Sequence, residues 1–260
     1  MRALSIAKFE ECITNEDAAL AKEGLIAVSD GAGGGGVFAD KWSRYLVENL
    51  PNTPILDYQS FDKWIDSIWE PFYNDCEQKA KREGGMLLGK FYDEGSFSTL
   101  VAVWSTGQWI SYGDSVAFCY NQQTGLLQHT FGKLSDFNNP PYLVNCKDPT
   151  KENGFKSGIF DIRQGDIVFA VSDALAHYIL MMYEISNKEQ YSNELNEAIY
   201  AHTKNSNFIK AAMDLPIVNF EKDVVLKLMR CNNRSNLKPH LQSLEKKGLL
   251  GHDDYSIAIM

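Results

Sequence analysis

Three aspartate-bearing strand ends constrain this chain more than anything else in it. Leu25-Ile26-Ala27-Val28 is an apolar run of strand length, cut off by Ser29-Asp30-Gly31. Ile167 to Val171 is another, cut off by Ser172-Asp173. Asp253-Asp254 heads a third, Tyr255 to Ile259. A carboxylate at the end of a buried strand needs a partner or water, because burying it alone costs free energy. Several such ends gathered in one place form an oxygen-ligand cage for a hard divalent cation such as Mg²⁺ or Mn²⁺. The expectation is a fold that gathers them.

The rest of the chain supplies the frame. Ala3 to Phe9 reads as an opening strand. Glycines Gly33 to Gly36 read as a loop able to take positive φ and bring backbone close to a ligand. A helix is predicted from Phe38 to Asn49, ended by Pro51 and Pro54. A second is predicted to start with Ser60 as its N-cap. Its residues Phe61, Trp64, Ile65, Ile68, Trp69 and Phe72 recur at helical spacing, and this stripe reads as sheet-facing core. Ser98 to Tyr120 reads as an antiparallel meander of three strands. Gly132 to Gly158, with Pro140-Pro141 and few apolar residues, reads as a long loop. Leu175 to Lys247 is helical by pattern. The order of strands, helices, strands, helices, strand favours an α+β sandwich over an alternating parallel sheet.

Composition excludes several classes. The 260 residues are expected to form a single domain, 1–260, burying roughly 75% of the unfolded surface. The net charge of −9, with no Lys/Arg cluster, argues against nucleic acid as a partner. Cys12, Cys76, Cys119, Cys146 and Cys231 contain no CxxC pair, so they read as reduced thiols rather than a zinc or disulfide framework. No basic-then-apolar leader and no run of about 18 apolar residues occurs, so the chain reads as cytoplasmic, away from membranes. Among the histidines, His129, His177, His202 and His240 lack metal-ligand spacing. His252 stands beside Asp253, where it reads either as a proton donor to a leaving group or as a surface residue.

Six short segments together resemble the PP2C-type (PPM) metal-dependent Ser/Thr protein phosphatases, in a divergent bacterial-type form. Asn15-Glu16-Asp17-Ala18 resembles the N-terminal acidic motif of that family. Ala27 to Gly34 resembles its "ADGMGG" signature, Gly95 to Leu100 its "GSTA" strand entry, and Gly113-Asp114-Ser115 its "GDSR" turn. Asp166 to Asp173 resembles "DxxLLxSDG", and Asp253-Asp254-Tyr255-Ser256 the terminal "DNxT". Any one of these is weak. Six in the family's order over nearly the whole chain are hard to obtain by chance.

The resemblance implies an αββα sandwich of two antiparallel sheets flanked by helices, with a binuclear Mn²⁺/Mg²⁺ centre at one end. Asp30 would bridge the metals and Gly31 would offer its backbone carbonyl. Asp173 and Asp253 would complete the catalytic set, Asp114 would serve a third, weaker site, and Glu16 and Asp17 would hold metal-bound waters. The implied activity is hydrolysis of phosphoserine and phosphothreonine in proteins, with a cognate kinase as a partner by analogy. The match has gaps. Cys12 stands where an arginine would pair with substrate phosphate, and Lys8 and Arg163 are the candidate replacements. Ala174 replaces a glycine and Val116 an arginine. Asp254 replaces an asparagine, which leaves open which of Asp253 and Asp254 is the ligand. The second functional reading is a pseudophosphatase that binds metal or a phosphoprotein without turnover.

Overall fold

The computed structural model describes every residue except Glu11, Cys12, Gly35 and Ile217. Strand β1 (Arg2–Ile6) opens the chain. Strands β2 (Ala18–Lys22) and β3 (Leu25–Ser29) form a hairpin turned by Gly24 at φ +78°. Then come helices α1 (Ala39–Glu48), α2 (Tyr58–Glu83) and α3 (Gly85–Glu94). Eight strands follow in the middle of the chain: β4 (Phe97–Ser98), β5 (Leu100–Trp104), β6 (Gln108–Tyr112), β7 (Val116–Tyr120), β8 (Leu127–His129), β9 (Val144–Asn145), β10 (Phe155–Ile159) and β11 (Ile167–Val171). Helices α4 (Asp173–Ser186), α5 (Ser192–Tyr200), α6 (Lys204–Met213), α7 (Leu226–Arg230) and α8 (Arg234–Lys246) lead to the last strand, β12 (Tyr255–Ile259).

The strands make two five-stranded antiparallel sheets, ordered β1-β12-β11-β7-β8 and β10-β6-β5-β3-β2, with β4 and β9 as a separate pair. Period-2 alternation explains the layering. In β3, Leu25 and Ala27 face the layer of α1 to α3, while Ile26 and Val28 face the other sheet. In β11, Phe169 and Val171 face the layer of α4 to α8, while Val168 and Ala170 face the first sheet. Each large apolar side chain buried this way contributes about 1.5–3 kcal/mol. The result is the four-layer αββα sandwich that the resemblance implies.

Three local expectations need correction. The segment Ser98 to Tyr120 is not one meander. β5 and β6 pair in one sheet, but β7 pairs with β11 in the other. The chain crosses between sheets at Gly113, which has φ +103° and where a Cβ would meet Thr99 Cγ2 and the Tyr142 carbonyl at 2.8 Å each. The second helix begins two residues before Ser60, because the Asp57 side chain accepts from the Ser60 N–H at 2.7 Å. The stretch from 132 to 158 is not all loop: it contains 3₁₀ turns at Leu134–Asn138 and Glu152–Gly154, the strand β9, and the edge strand β10. The aromatic stripe of α2 is core: Phe61, Ile65 and Phe72 are buried against the β3, β5 and β6 sheet.

The connectivity decides where the acidic residues go. β2, β7 and β12 start, and β3 and β11 end, at the same edge of the sandwich, as the pairs Ala18–Ser29, Val116–Val171 and Val171–Ile257 require. Among the described residues no helix is long and apolar enough to cross a membrane.

Candidate metal centre

The strand ends bring Glu16, Asp17, Asp30, Asp114, Asp173, Asp253 and Asp254 into one cluster. The mutual repulsion registers in the acidities of Glu16, Asp17, Asp30, Asp114, Asp173 and Asp253. Burial, then the charges of Asp17, Asp173, Asp114 and Asp253, hold Asp30 well above the usual carboxylate range. Burial and Asp173 push Asp114 up to about 7. Burial and Asp253 push Asp173 up to about 6, eased by the Ala174 N–H. Asp253 is raised chiefly by burial, with Lys8 and Lys204 pulling the other way. Glu16 is raised by burial and by Asp254.

Asp17 is the least accessible of these carboxylates. It is 2% solvent-accessible, and neither of its carboxylate oxygens has a hydrogen-bond partner among the described residues. Burial and Asp254 hold it well above the normal range, while the Ser172 hydroxyl beside it pulls the other way. Two orphaned anionic oxygens in a buried position cost free energy unless a cation or proton meets them.

The neighbouring pair Asp253-Asp254 divides its labour. Asp254 is buried, and its two oxygens accept from the backbone N–H groups of Lys8 at 2.8 Å and Glu16 at 2.7 Å. It ties the N-terminal acidic segment to the start of β12. Asp253 instead lines a cavity of about 160 Å³ together with Asp114 and Asp173. Both oxygens of Asp254 are thus taken by backbone donors, whereas among the described residues Asp253 accepts only from the Asp254 N–H, at 2.9 Å.

Beneath the carboxylates lies a set of buried hydroxyls that sequence reasoning passed over. Ser29 Oγ lies 2.6 Å from Ser98 Oγ, and Ser98 Oγ donates to the Asp30 carbonyl at 2.6 Å. The Asp30 N–H donates to Thr99 Oγ1, which lies 2.7 Å from Ser115 Oγ. On the other sheet, Ser172 Oγ accepts from the Ser256 N–H at 3.0 Å. These bonds fix the backbone on which Asp30, Asp114 and Asp173 stand. The signal was present as a serine beside Asp30, Asp114 and Asp173.

The glycine loop acts by close packing rather than by positive φ, which none of Gly33, Gly34 and Gly36 adopts. A Cβ on Gly31 would come within 2.5 Å of the Glu16 carbonyl, and one on Gly33 within 2.0 Å of Glu16 Oε1. The loop is moulded over the N-terminal acidic segment. Other substitutions find simple reasons. Val116 is fully buried at the start of β7, and Ala174 lies in the first turn of α4, where alanine is at ease.

The candidate replacements for the missing arginine separate. Cys12 lies outside the described residues. Arg163 is paired with Asp161 at 2.6 Å, before the start of β11 and so at the opposite edge from Asp173; it cannot reach the cluster. Lys8 is near enough to lower Glu16 and Asp253. His252 has Glu245 and Glu10 at 3.0 Å on its two ring nitrogens, and these carboxylates, Glu245 first, raise its pKa. Both of its ring nitrogens are thus engaged by side chains of the protein.

Hard oxygen donors, buried repulsion and the orphaned Asp17 oxygens fit divalent cations of the Mg²⁺ or Mn²⁺ type. The fit is one of chemistry and placement. Among the described residues no three His, Cys, Asp or Glu side chains stand as a finished metal-holding group.

The structure resembles known ones over its whole length. The PstP/Ppp serine/threonine phosphatase of Mycobacterium tuberculosis superposes with a TM-score of 0.53 at 16% identity, covering 99% of this chain and 96% of that one. This chain has the PP2C-like fold. The PPM Ser-Thr phosphatase MsPP of Mycobacterium smegmatis, solved with cacodylate, gives a TM-score of 0.51 at 14% identity, covering 99% and 96%. The PstP catalytic domain with 2 manganese ions gives 0.50 at 15% identity, covering 99% and 95%. No family model and no curated protein matches the sequence.

Proposed function

We propose that this chain is a PP2C-type protein serine/threonine phosphatase that hydrolyses phosphoserine and phosphothreonine with the help of Mn²⁺ or Mg²⁺. The observation that carries the reading is the buried carboxylate cluster at one edge of the sandwich, with both oxygens of Asp17 unpartnered. The two manganese ions of the PstP catalytic domain, a protein of the same fold, support a two-cation centre.

Bound divalent cations lower the pKa of water toward neutrality and neutralise phosphoryl oxygens, which a reaction as slow as phosphate-monoester hydrolysis needs. Asp30, Asp173 and Asp253 would hold two of them, with the Gly31 carbonyl as a neutral donor. Asp114 would serve a third, weaker site. Glu16 and Asp17 would orient water. Cysteine chemistry is not called for: burial pushes the thiols of Cys76 and Cys119 up to about 12, so neither is a thiolate near neutral pH. A phosphorylated protein is the proposed substrate, and a cognate Ser/Thr kinase its counterpart.

The test is hydrolysis of p-nitrophenyl phosphate and of a phosphothreonine peptide with Mn²⁺, with EDTA, and with Asp30→Asn. Metal-dependent turnover lost in Asp30→Asn supports the reading. Tight Mn²⁺ binding without turnover on either substrate would make the chain a binding module instead.

A further inference from the structure

The cavity that Asp114, Asp173 and Asp253 line has a second wall, and two aromatic rings, Phe137 and Phe208, give it its character. Both rings are half-buried, whereas Phe61, Phe91, Phe118 and Phe169 are closed into the core. Local structure puts them there. The buried residues of α6 are Ser206, Ile209 and Ala212, three apart on one stripe. Phe208 lies off that stripe, on the face it shares with Lys204 four residues earlier, and both line the cavity. Phe137 stands in the 3₁₀ turn Leu134–Asn138, three residues after the buried Leu134. Side chains at that spacing share a face in such a turn, so Leu134 enters the core and Phe137 closes the cavity beside it.

The two segments are clamped to each other and to the acidic edge. Thr203 Oγ1 donates to Asn138 Oδ1 at 2.6 Å, and Asn205 Nδ2 donates to the Phe137 carbonyl at 3.3 Å. Phe131 stacks on Phe137 with ring centroids 4.1 Å apart. The buried His177 ring stands edge-on to Phe137 at 5.4 Å and to Phe208 at 6.0 Å, filling the space between them. The far end of Phe208 reaches the segment that bears Asp253: a Cβ on Gly251 would meet its Cε2 and Cζ at 3.8 Å each. The apolar wall is therefore fixed in place relative to the carboxylates. Aromatic surface that faces water in a cavity gains free energy when an apolar group covers it.

We propose that Phe137 and Phe208 are specificity-determining residues that select phosphoproteins carrying an apolar side chain next to the phosphorylated residue. The proposal rests on the phosphatase reading and gives its substrate a class. A phosphoryl group held by cations at the carboxylates has no use for an aromatic surface. The part of the substrate that carries the phosphoryl group does, because the same small cavity holds both walls and brings that part against the rings. A glycine beside the phosphorylated residue would leave the rings uncovered, and a polar side chain would lose water without gaining a partner from them.

The test is kcat/KM of the Mn²⁺-loaded full chain for three phosphothreonine peptides that differ only in the two residues flanking the phosphothreonine: Leu, Gly or Gln. Calorimetric titration of the same peptides gives their binding. The variants are Phe208→Ser, Phe208→Leu, Phe137→Ala and Tyr200→Ala, the last an aromatic residue 73% exposed at the end of α5. An apolar contact in an enzyme pocket discriminates by about tenfold or more in kcat/KM. The parent chain is expected to prefer the Leu peptide over both others by about that factor. Phe208→Ser and Phe137→Ala should bring the ratio toward one, Phe208→Leu should keep most of it, and Tyr200→Ala all of it. Equal kcat/KM for the Leu and Gln peptides in the parent chain overturns the proposal, as does a preference that survives both Phe208→Ser and Phe137→Ala. Either result with turnover intact leaves the phosphatase reading standing. Tighter binding of the Leu peptide that depends on Phe208, without turnover of any peptide, would uphold the wall while removing the phosphatase reading. Neither binding nor turnover of any peptide removes both.

Discussion

Strand β11 carries an aspartate at each end, and the two have opposite fates. Asp166, just before the strand, accepts from Asn121 Nδ2 at 2.8 Å, from the Arg163 N–H at 2.9 Å and from Cys119 Sγ at 3.7 Å. Asp173, just after it, accepts from its neighbour Ala174 N–H and otherwise faces Asp253, Asp30 and Asp114. One carboxylate is a staple and the other stands in a field of like charge. Asp254 and Asp253 repeat the contrast within two residues. Residue type is equal in each pair, so the count of donors around the oxygens is what separates structure from site.

The largest expected effect breaks this comparison if it fails. Asp30→Asn keeps the shape of the acidic edge and removes a charge, and Mn²⁺-dependent turnover should fall at least ~10²–10³-fold, the scale of losing one key electrostatic group. Asp166→Asn, at the other edge, should leave turnover unchanged. It should cost about 1–3 kcal/mol in urea unfolding, because one of its donors is left unpaired. Equal loss of turnover in both variants would mean that the two edges do not differ in kind.

The second effect concerns pH. A carboxylate whose folded pKa is raised binds its proton more tightly in the folded state. Its contribution to stability is present below the unfolded pKa, near 4, and is lost as pH rises through the folded pKa. For Asp173 and Asp114 those values are about 6 and about 7. EDTA-treated protein should therefore lose melting temperature between pH 5 and pH 8. Cations bind the deprotonated groups, so the rise in melting temperature on adding Mn²⁺ should grow over the same interval. At roughly 2–4 °C per kcal/mol for a chain near this size, the change should be several degrees or more by circular dichroism. A flat EDTA curve with no Mn²⁺ gain would leave the cluster without the repulsion assigned to it.

These contrasts also mark how far the residues alone could be read. The strand ends at Asp30, Asp173 and Asp253 were legible, because an apolar run closed by a polar turn is a local signal. The stripe of α2 was legible because helical period is local too. The split of Ser98 to Tyr120 between two sheets was not: β6 and β7 have similar patterns, and the crossing depends on packing around Gly113. The roles of Asp253 and Asp254 were not, because Asp254 is claimed by backbone groups of Lys8 and Glu16, more than two hundred residues away in sequence. The hairpin strand β2 was missed since Ala18-Ala19-Leu20-Ala21-Lys22 has weak strand propensity and is held there by its pairing with β3.

The third prediction uses that long-range tie. Asp254→Ala removes an acceptor from two backbone N–H groups, and should cost about 2–4 kcal/mol in urea unfolding. Asp253→Asn keeps an amide oxygen that can still accept from the Asp254 N–H, so it should cost far less and should instead weaken Mn²⁺ binding by calorimetry. If Asp253→Asn is the more destabilising and Asp254→Ala the more damaging to metal binding, the two roles are exchanged.

The smallest effect separates packing from chemistry at the glycine loop. Gly33 has no left-handed φ, so alanine suits its backbone, but a Cβ there would lie 2.0 Å from Glu16 Oε1. Glu16 is half-buried and flexible, so it can swing aside at a cost of order 0.5–1.5 kcal/mol for a distorted rotamer. Gly33→Ala should therefore lower the melting temperature by only about 1–6 °C. If Glu16 orients water on a bound cation, Mn²⁺ affinity should still fall by about 10-fold or more, as happens when an outer partner of a metal site is displaced. Gly34→Ala is the matched control, since a Cβ there meets nothing within 4 Å. Equal Mn²⁺ affinity in the two variants would place Glu16 with the staples, among the groups that hold the acidic edge in shape without touching its chemistry.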